Sequence, residues 1–277
     1  MNDKTSNVSN IYKLDGRVPI LKAIPFGLQH ILAMFVANLA PISIIAAAGG
    51  LNQSEIAILL QNAMFVAGIA TLIQLYPVWK VGAKLPIVMG VSFTFVTVLS
   101  TIAVNYGYPT VIGAVLVGGF FEGTLGLFAK YWRKIISPIV AASVVTAIGF
   151  SLFTVGARSF GGGYVDDFGS AENLLLGMIT LAVCLTWNCL AKGYLKQLSV
   201  LVGLIVGYIV AIFMGKVDLT VIFSDGMLAL PKLLPYRPEF NLSAITSVCI
   251  IYLVSAAETI GDTSAMVATG LHREIKD

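Results

Sequence analysis

Apolar residues in this chain come in long runs separated by short polar clusters. Eight runs approach or exceed the roughly 20 residues a helix needs to cross a bilayer, at about 24–48, 55–77, 85–104, 110–129, 135–157, 173–191, 197–215 and 241–264. The short connections carry turn chemistry: Gly49-Gly50, Tyr108-Pro109 and Gly161-Gly162-Gly163. One longer segment, 216–240, holds Pro231, Pro235 and Pro238 with Lys232 and Arg237 and reads as an exposed loop.

The third run differs from the others. Leu85-Pro86 opens it, Gly90 interrupts it, and Ser92–Val98 alternates β-branched with aromatic residues. In water that pattern would be a strand. Inside a membrane, extended backbone survives only when buried in protein or lining a cavity, because lipid satisfies no N–H or C=O group. Discontinuous spans of this kind form substrate sites in secondary transporters. An ordinary β-branched helix is the competing reading, and composition alone leaves both open.

Composition removes most other classes. Of 277 residues, 57% are hydrophobic and 11% charged, and the mean hydropathy is +0.90. Soluble domains carry about 25% charged residues, and disordered chains are poor in apolar ones. The expected fold is therefore an all-α polytopic membrane protein. The net charge of +3 is no nucleic-acid patch, since the charges sit in clusters between apolar runs. With the N-terminus in the cytoplasm and eight alternating spans, 13 of the 17 Lys and Arg residues fall inside, which satisfies the positive-inside rule. The basic start resembles that of a signal peptide, but the first run far exceeds an h-region of about 7–15 residues and reads as a retained first span. Cys184, Cys189 and Cys249 show no CxxC spacing and suggest neither disulfides nor a metal site.

Ionisable groups at membrane depth are costly and mark function by default. Glu258 and Asp262, four residues apart, share one helix face. Such a pair of carboxyls suits proton exchange, and a carboxylate also accepts two N–H donors from a planar ligand. His30, beside Gln29, is the one histidine inside a run and reads as an indirect, geometry-holding group. Glu122, among glycines, reads as a close-packing helix contact with a buried hydrogen bond. Enzyme readings fail: there is no HExxH, no GxSxG and no phosphate cradle. Gly261-Asp262 resembles half of an intramembrane aspartyl protease motif but lacks its first glycine and its partner. No catalytic or metal-ligating residue is assigned.

The motifs together resemble a known family. Gln29-His30-Ile31-Leu32-Ala33-Met34-Phe35, Gly90-Val91-Ser92-Phe93-Thr94-Phe95, Ile135-Ile136-Ser137-Pro138, the Gly161–Gly163 loop and Glu258-Thr259-Ile260-Gly261-Asp262 are similar to the nucleobase–ascorbate (xanthine/uracil permease) family. The wording ETIGD looks like the bacterial purine permeases, whereas uracil permeases carry histidine at the last position. The resemblance implies import of xanthine or uric acid by proton symport, with alternating access and no cofactor beyond the proton. It implies that Glu258 accepts hydrogen bonds from the base, that Phe93 packs on its face, and that the backbone near Phe93 and Ala37 meets its edge. Thr94 would tune which purine fits, and His30, Gln29 and Asp262 would serve proton coupling and site geometry.

The same resemblance implies an organisation. Residues 1–23 would be a cytoplasmic segment, and 24–134 spans 1–4 of a substrate-carrying core. Residues 135–215 would be scaffold spans 5–7, 216–240 an outer loop, and 241–277 core span 8 with a cytoplasmic end. Family members resemble two inverted seven-span repeats, so spans 9–14 would lie beyond this sequence. A homodimer in the cell membrane, formed through the scaffold spans, is the implied assembly. Three alternatives stay open: a uracil permease, an anion permease of the same architecture, or a non-transporting membrane scaffold subunit.

Overall fold

The computed structural model of the chain describes residues 19–79, 81–132, 138–217, 231–232 and 234–271. Most of the N-terminal segment, Ile135-Ile136-Ser137, most of the 216–240 loop and the basic end after Leu271 lie outside the described residues. Eight principal helices follow in order: α1 (Ile20–Ala48), α2 (Gln53–Leu75), α3 (Val96–Tyr106), α4 (Tyr108–Leu127), α5 (Pro138–Phe160), α6 (Ala171–Leu190), α7 (Ser199–Phe213) and α8 (Leu242–Leu271). Six of them are long and apolar enough to cross a membrane; α3, with the turn before it, and α7 are shorter apolar helices. Large apolar side chains such as Phe150, Phe153, Leu190 and Phe213 point outward. In water this would be a severe liability; in lipid the exposed face has an apolar solvent.

Local chemistry sets the helix ends. At α2, Asn52 accepts the Glu55 N–H at 2.9 Å while the Glu55 carboxylate accepts the Asn52 N–H at 2.9 Å, so two orphan donors are satisfied reciprocally. Asn241 accepts the N–H groups of Ser243 (3.0 Å) and Ala244 (3.2 Å) at the start of α8. Gly107, at φ +85°, turns the chain sharply between α3 and α4, a conformation that a Cβ would strain.

The third span is broken. Residues 86–92 adopt neither helix nor strand, a 3₁₀ turn occupies Phe93–Phe95, and only then does α3 begin. Of the two readings left open by composition, the interrupted span is the one observed.

The chain divides into two compact units. The first comprises the described residues within Met1–Ala40, Gln61–Val91 and Leu175–Ala229. In it, side chains satisfy the extended segment: Thr71 Oγ1 accepts the Met89 N–H at 3.0 Å, and Asn38 Oδ1 accepts the Val91 N–H at 2.8 Å. Asn38 is only 2% exposed, and its amide donates to Met64 Sδ at 3.3 Å. Gly90 faces Asn38, whose Oδ1 would stand 3.0 Å from an added Cβ. Elsewhere in this unit α6 and α7 approach closely where Gly203 meets Cys184 and Gly207 meets Thr180.

The second unit comprises the described residues within Pro41–Leu60, Ser92–Leu174 and Leu230–Asp277. Its centre is the α4–α8 contact. Gly118 lies against the Tyr252 ring and Val248, so any side chain there would collide with both. Tyr252 also meets Phe95 with ring centroids 4.7 Å apart. Val96, Ala114 and Val248 are fully buried around this contact. At one end, the Glu239 N–H donates to the Pro109 carbonyl at 3.1 Å, and Tyr236 meets Tyr108 edge-on at 5.3 Å. Tyr236 also bonds Glu55. Burial, together with that bond and the carboxylate's charge, pushes its phenol up to about 12.

Candidate functional site

The site is built where the broken span meets α8. Ser92 is extended (φ −82°, ψ 140°) and caps the 3₁₀ turn, its Oγ accepting the Thr94 N–H at 3.2 Å. The Ser92 hydroxyl proton points the other way, toward Glu258, with Oε2 at 3.2 Å and Oε1 at 3.5 Å. Thr94 Oγ1 donates to Glu258 Oε2 at 2.6 Å. A 3₁₀ turn preceded by extended chain therefore delivers two hydroxyl donors to one carboxylate oxygen.

This arrangement has a chemical consequence. A carboxylate offers about four lone-pair sites. The hydroxyl donors converge on Oε2, while among the described residues Oε1 receives only the long Ser92 contact. Glu258 is thus oriented by the protein yet keeps acceptor capacity for a further N–H donor. Charge-assisted bonds of this type are the stronger ones, and the half-buried position limits competition from water.

Phe93 and Thr94 lie in the 3₁₀ turn from which Thr94 bonds Glu258; Thr94 is buried and Phe93 half-buried. Asp262 lies four residues along the same unbroken helix and is exposed, about 6 Å further down the axis. His30 and Ala37 sit on α1 in the other compact unit, both exposed, and the Gln29 side chain lies outside the described residues. Glu122 behaves as a packing residue: it is half-buried on α4 and bonds the Ser255 hydroxyl of α8.

Two residues escape a reading that looks only for ionisable groups. Ser92 orients Glu258 while holding its own turn, and Asn38 holds the backbone of the extended segment. The signal for Asn38 is an amide in the middle of an apolar run, which must find partners because lipid offers none. Among the described residues, no group of three or more His, Cys, Asp or Glu side chains is placed to hold a metal. A cavity of about 300 Å³ between α3 and α8, lined by Thr97, Thr101, Asn105, Ser243 and Ser247 among others, is a separate feature. Ser247 precedes Glu258 by 11 residues, about 16 Å of helix.

Six helices long and apolar enough to cross a membrane, with a broken span that carries hydroxyls to the Glu258 carboxylate, mark a polytopic membrane protein. Residues 21–276 match the model described as the permease family, and the chain belongs to that family, the nucleobase–ascorbate (xanthine/uracil permease) group. It is 35% identical over 244 residues to the uric acid permease PucK of Bacillus subtilis, covering 87% of this chain and 56% of the relative. It is 32% identical over 268 residues to the xanthine permease XanQ of Escherichia coli, covering 92% and 58%. A nucleobase transporter, PlUacP, of Paenibacillus larvae is 34% identical over 247 residues, covering 87% and 56%. The chain thus spans a little over half the length of these relatives.

Proposed function

We propose that this chain is the substrate-gripping part of a permease that imports an oxidised purine base, xanthine or uric acid, by proton symport. The observation that carries the reading is Glu258, held on Oε2 by Ser92 at 3.2 Å and Thr94 at 2.6 Å while Oε1 has the longer Ser92 contact at 3.5 Å. Oxidised purines present ring N–H groups at one edge, and a carboxylate is their natural acceptor. The names of the relatives, uric acid and xanthine permeases, support the same substrate class. Phe93 would pack on the base, the backbone near Ala37 would meet its edge, and Thr94 would shape its fit. His30, Gln29 and Asp262 would couple a proton to this step, with no other cofactor. Spans 1–4 and 8 would form the moving core and spans 5–7 the scaffold, within a larger two-repeat protein. That protein would sit in the cell membrane as a homodimer, its N-terminus in the cytoplasm.

The test is a thermal-shift series on the detergent-purified full-length protein with xanthine, urate, uracil and sulfate. Stabilisation by xanthine or urate, abolished in Glu258→Gln, is expected. Stabilisation by sulfate alone, or purine stabilisation that survives Glu258→Gln, would overturn the reading.

A further inference from the structure

The turn that follows α2 is built against the usual preferences. Val78 and Val81 exchange both backbone hydrogen bonds at 3.0 Å, closing a tight turn. Trp79 in that turn has φ +55°. Glycine, asparagine and aspartate are the residues that tolerate this region, and a bulky indole there is a genuine outlier. Lys84, at φ +56°, repeats the anomaly five residues later. Strain of this kind persists where a side chain serves a purpose that an easier residue would not.

The side chains around the strain share one character. Trp79 is 82% exposed and Tyr76 74% exposed, with Val78 and Val81 also well exposed. The turn is also not free to fold away. The Lys84 N–H donates to the Gln74 carbonyl at 2.9 Å, and the Ala83 N–H to Gln74 Oε1 at 3.3 Å. Gly82 lies directly on the Ile73 carbonyl, where no Cβ fits. Two aromatic rings, two valines and a lysine are therefore pinned to the last turn of a membrane-crossing helix, and the sequence adds Lys80 beside Trp79. Tryptophan and tyrosine favour the headgroup layer, where one part of the ring is apolar and another hydrogen-bonds. Lysines at that depth attract anionic headgroups.

We propose that the turn after α2 is an interfacial anchor: Tyr76, Val78, Trp79 and Val81 enter the headgroup layer of the bilayer, and Lys84 recruits anionic lipid to it. The occupant of this surface is lipid, in continuity with the exposed apolar residues Ile69 and Leu72 of α2. The proposal is independent of what the protein carries.

The test uses the full-length protein in phosphatidylcholine vesicles with and without phosphatidylglycerol. The signal is tryptophan fluorescence, taken as the difference from a Trp79→Phe variant, with bromine-labelled lipids as quenchers. Quenching of the Trp79 component by bromolipid is expected, with labelled anionic lipid enriched about fivefold per lysine over labelled neutral lipid. That preference should vanish in Lys84→Gln. Quenching by aqueous iodide and not by bromolipid would overturn the anchor, as would protection from both, which would mean a protein surface covers the turn. Equal quenching by neutral and anionic bromolipids would overturn the lysine part. In a second measurement, Trp79→Gly relieves the backbone strain and should leave detergent stability equal or higher while lowering stability in anionic vesicles. Higher stability in both media would sink the proposal.

Discussion

Thr94 Oγ1 donates a 2.6 Å hydrogen bond to Glu258 Oε2 across 164 residues of chain. The third span and the eighth are thereby joined through the Glu258 carboxylate. Ser92 strengthens the joint from the same turn. The proposed binding chemistry rests on the orientation these two hydroxyls impose.

Replacing Glu258 by glutamine keeps the size and removes the charge. Hydrogen bonds to a charged acceptor contribute about 1.5–3 kcal/mol, so xanthine or urate affinity should fall roughly 10- to 150-fold. Uptake KM in the full-length protein, set against membrane abundance of the variant, reads this out. Unchanged KM would remove Glu258 from the site.

Thr94→Val is close to isosteric and deletes one hydroxyl. Glu258 should then lose about 1–2 kcal/mol of its orienting bond, weakening binding about 5- to 30-fold. Thr94→Ser, which restores the donor, should recover most of it. A Thr94→Ser variant as weak as Thr94→Val would show that the methyl group matters and the hydroxyl does not.

Asn38 carries the broken span from the other side of the break. Asn38→Leu would leave the Val91 N–H without its partner, a loss of about 1–3 kcal/mol. A lower melting temperature of the purified protein is expected, with Asn38→Asp less affected because it keeps the acceptor oxygen. Gly90→Ala should repeat part of the loss, since its Cβ would press on Asn38 Oδ1 at 3.0 Å. Equal stability of Asn38→Leu and the parent would refute the clamp.

Gly118→Leu should destabilise by about 1–3 kcal/mol through overpacking against Tyr252 and Val248. Tyr252→Ala opens the space, so the double variant should be less damaged than the two single losses added together. Additive losses in a thermal double-mutant cycle would show that the ring and the glycine do not meet.

Tyr236 makes a pH-dependent prediction. Its phenol is pushed from the ordinary value near 10 up to about 12, by burial first and then by its bond to Glu55 and that carboxylate's charge. The folded state thus prefers the protonated phenol. The stability it contributes is complete below pH 10 and is lost as pH rises through about 12. The melting-temperature gap between the parent and Tyr236→Phe should be constant up to about pH 10 and close by about pH 12. A gap that does not change across this window would count against the Glu55 bond.

Much of this was written in the chain. Long apolar runs announce membrane helices because hydrocarbon tolerates no unpaired backbone, and that constraint depends on composition and length rather than on partners. The placing of Glu258 and Asp262 on one face follows from local spacing in the same way, whereas the pattern near Gly90 left a broken span and an ordinary helix both open until the fold decided. The family was legible because its motifs survive as contiguous words such as ETIGD. What the linear order could not carry are relations between distant segments. Ser92 and Thr94 earn their importance only when folding brings them to Glu258, and Asn38 only when it meets Val91. Nor does any local pattern say that Trp79 takes a left-handed backbone, since the clamp from Gln74 and the Ile73 carbonyl sets that turn. Helix formation in lipid is decided residue by residue, whereas hydrogen-bond partners are decided by packing, which only the folded chain supplies.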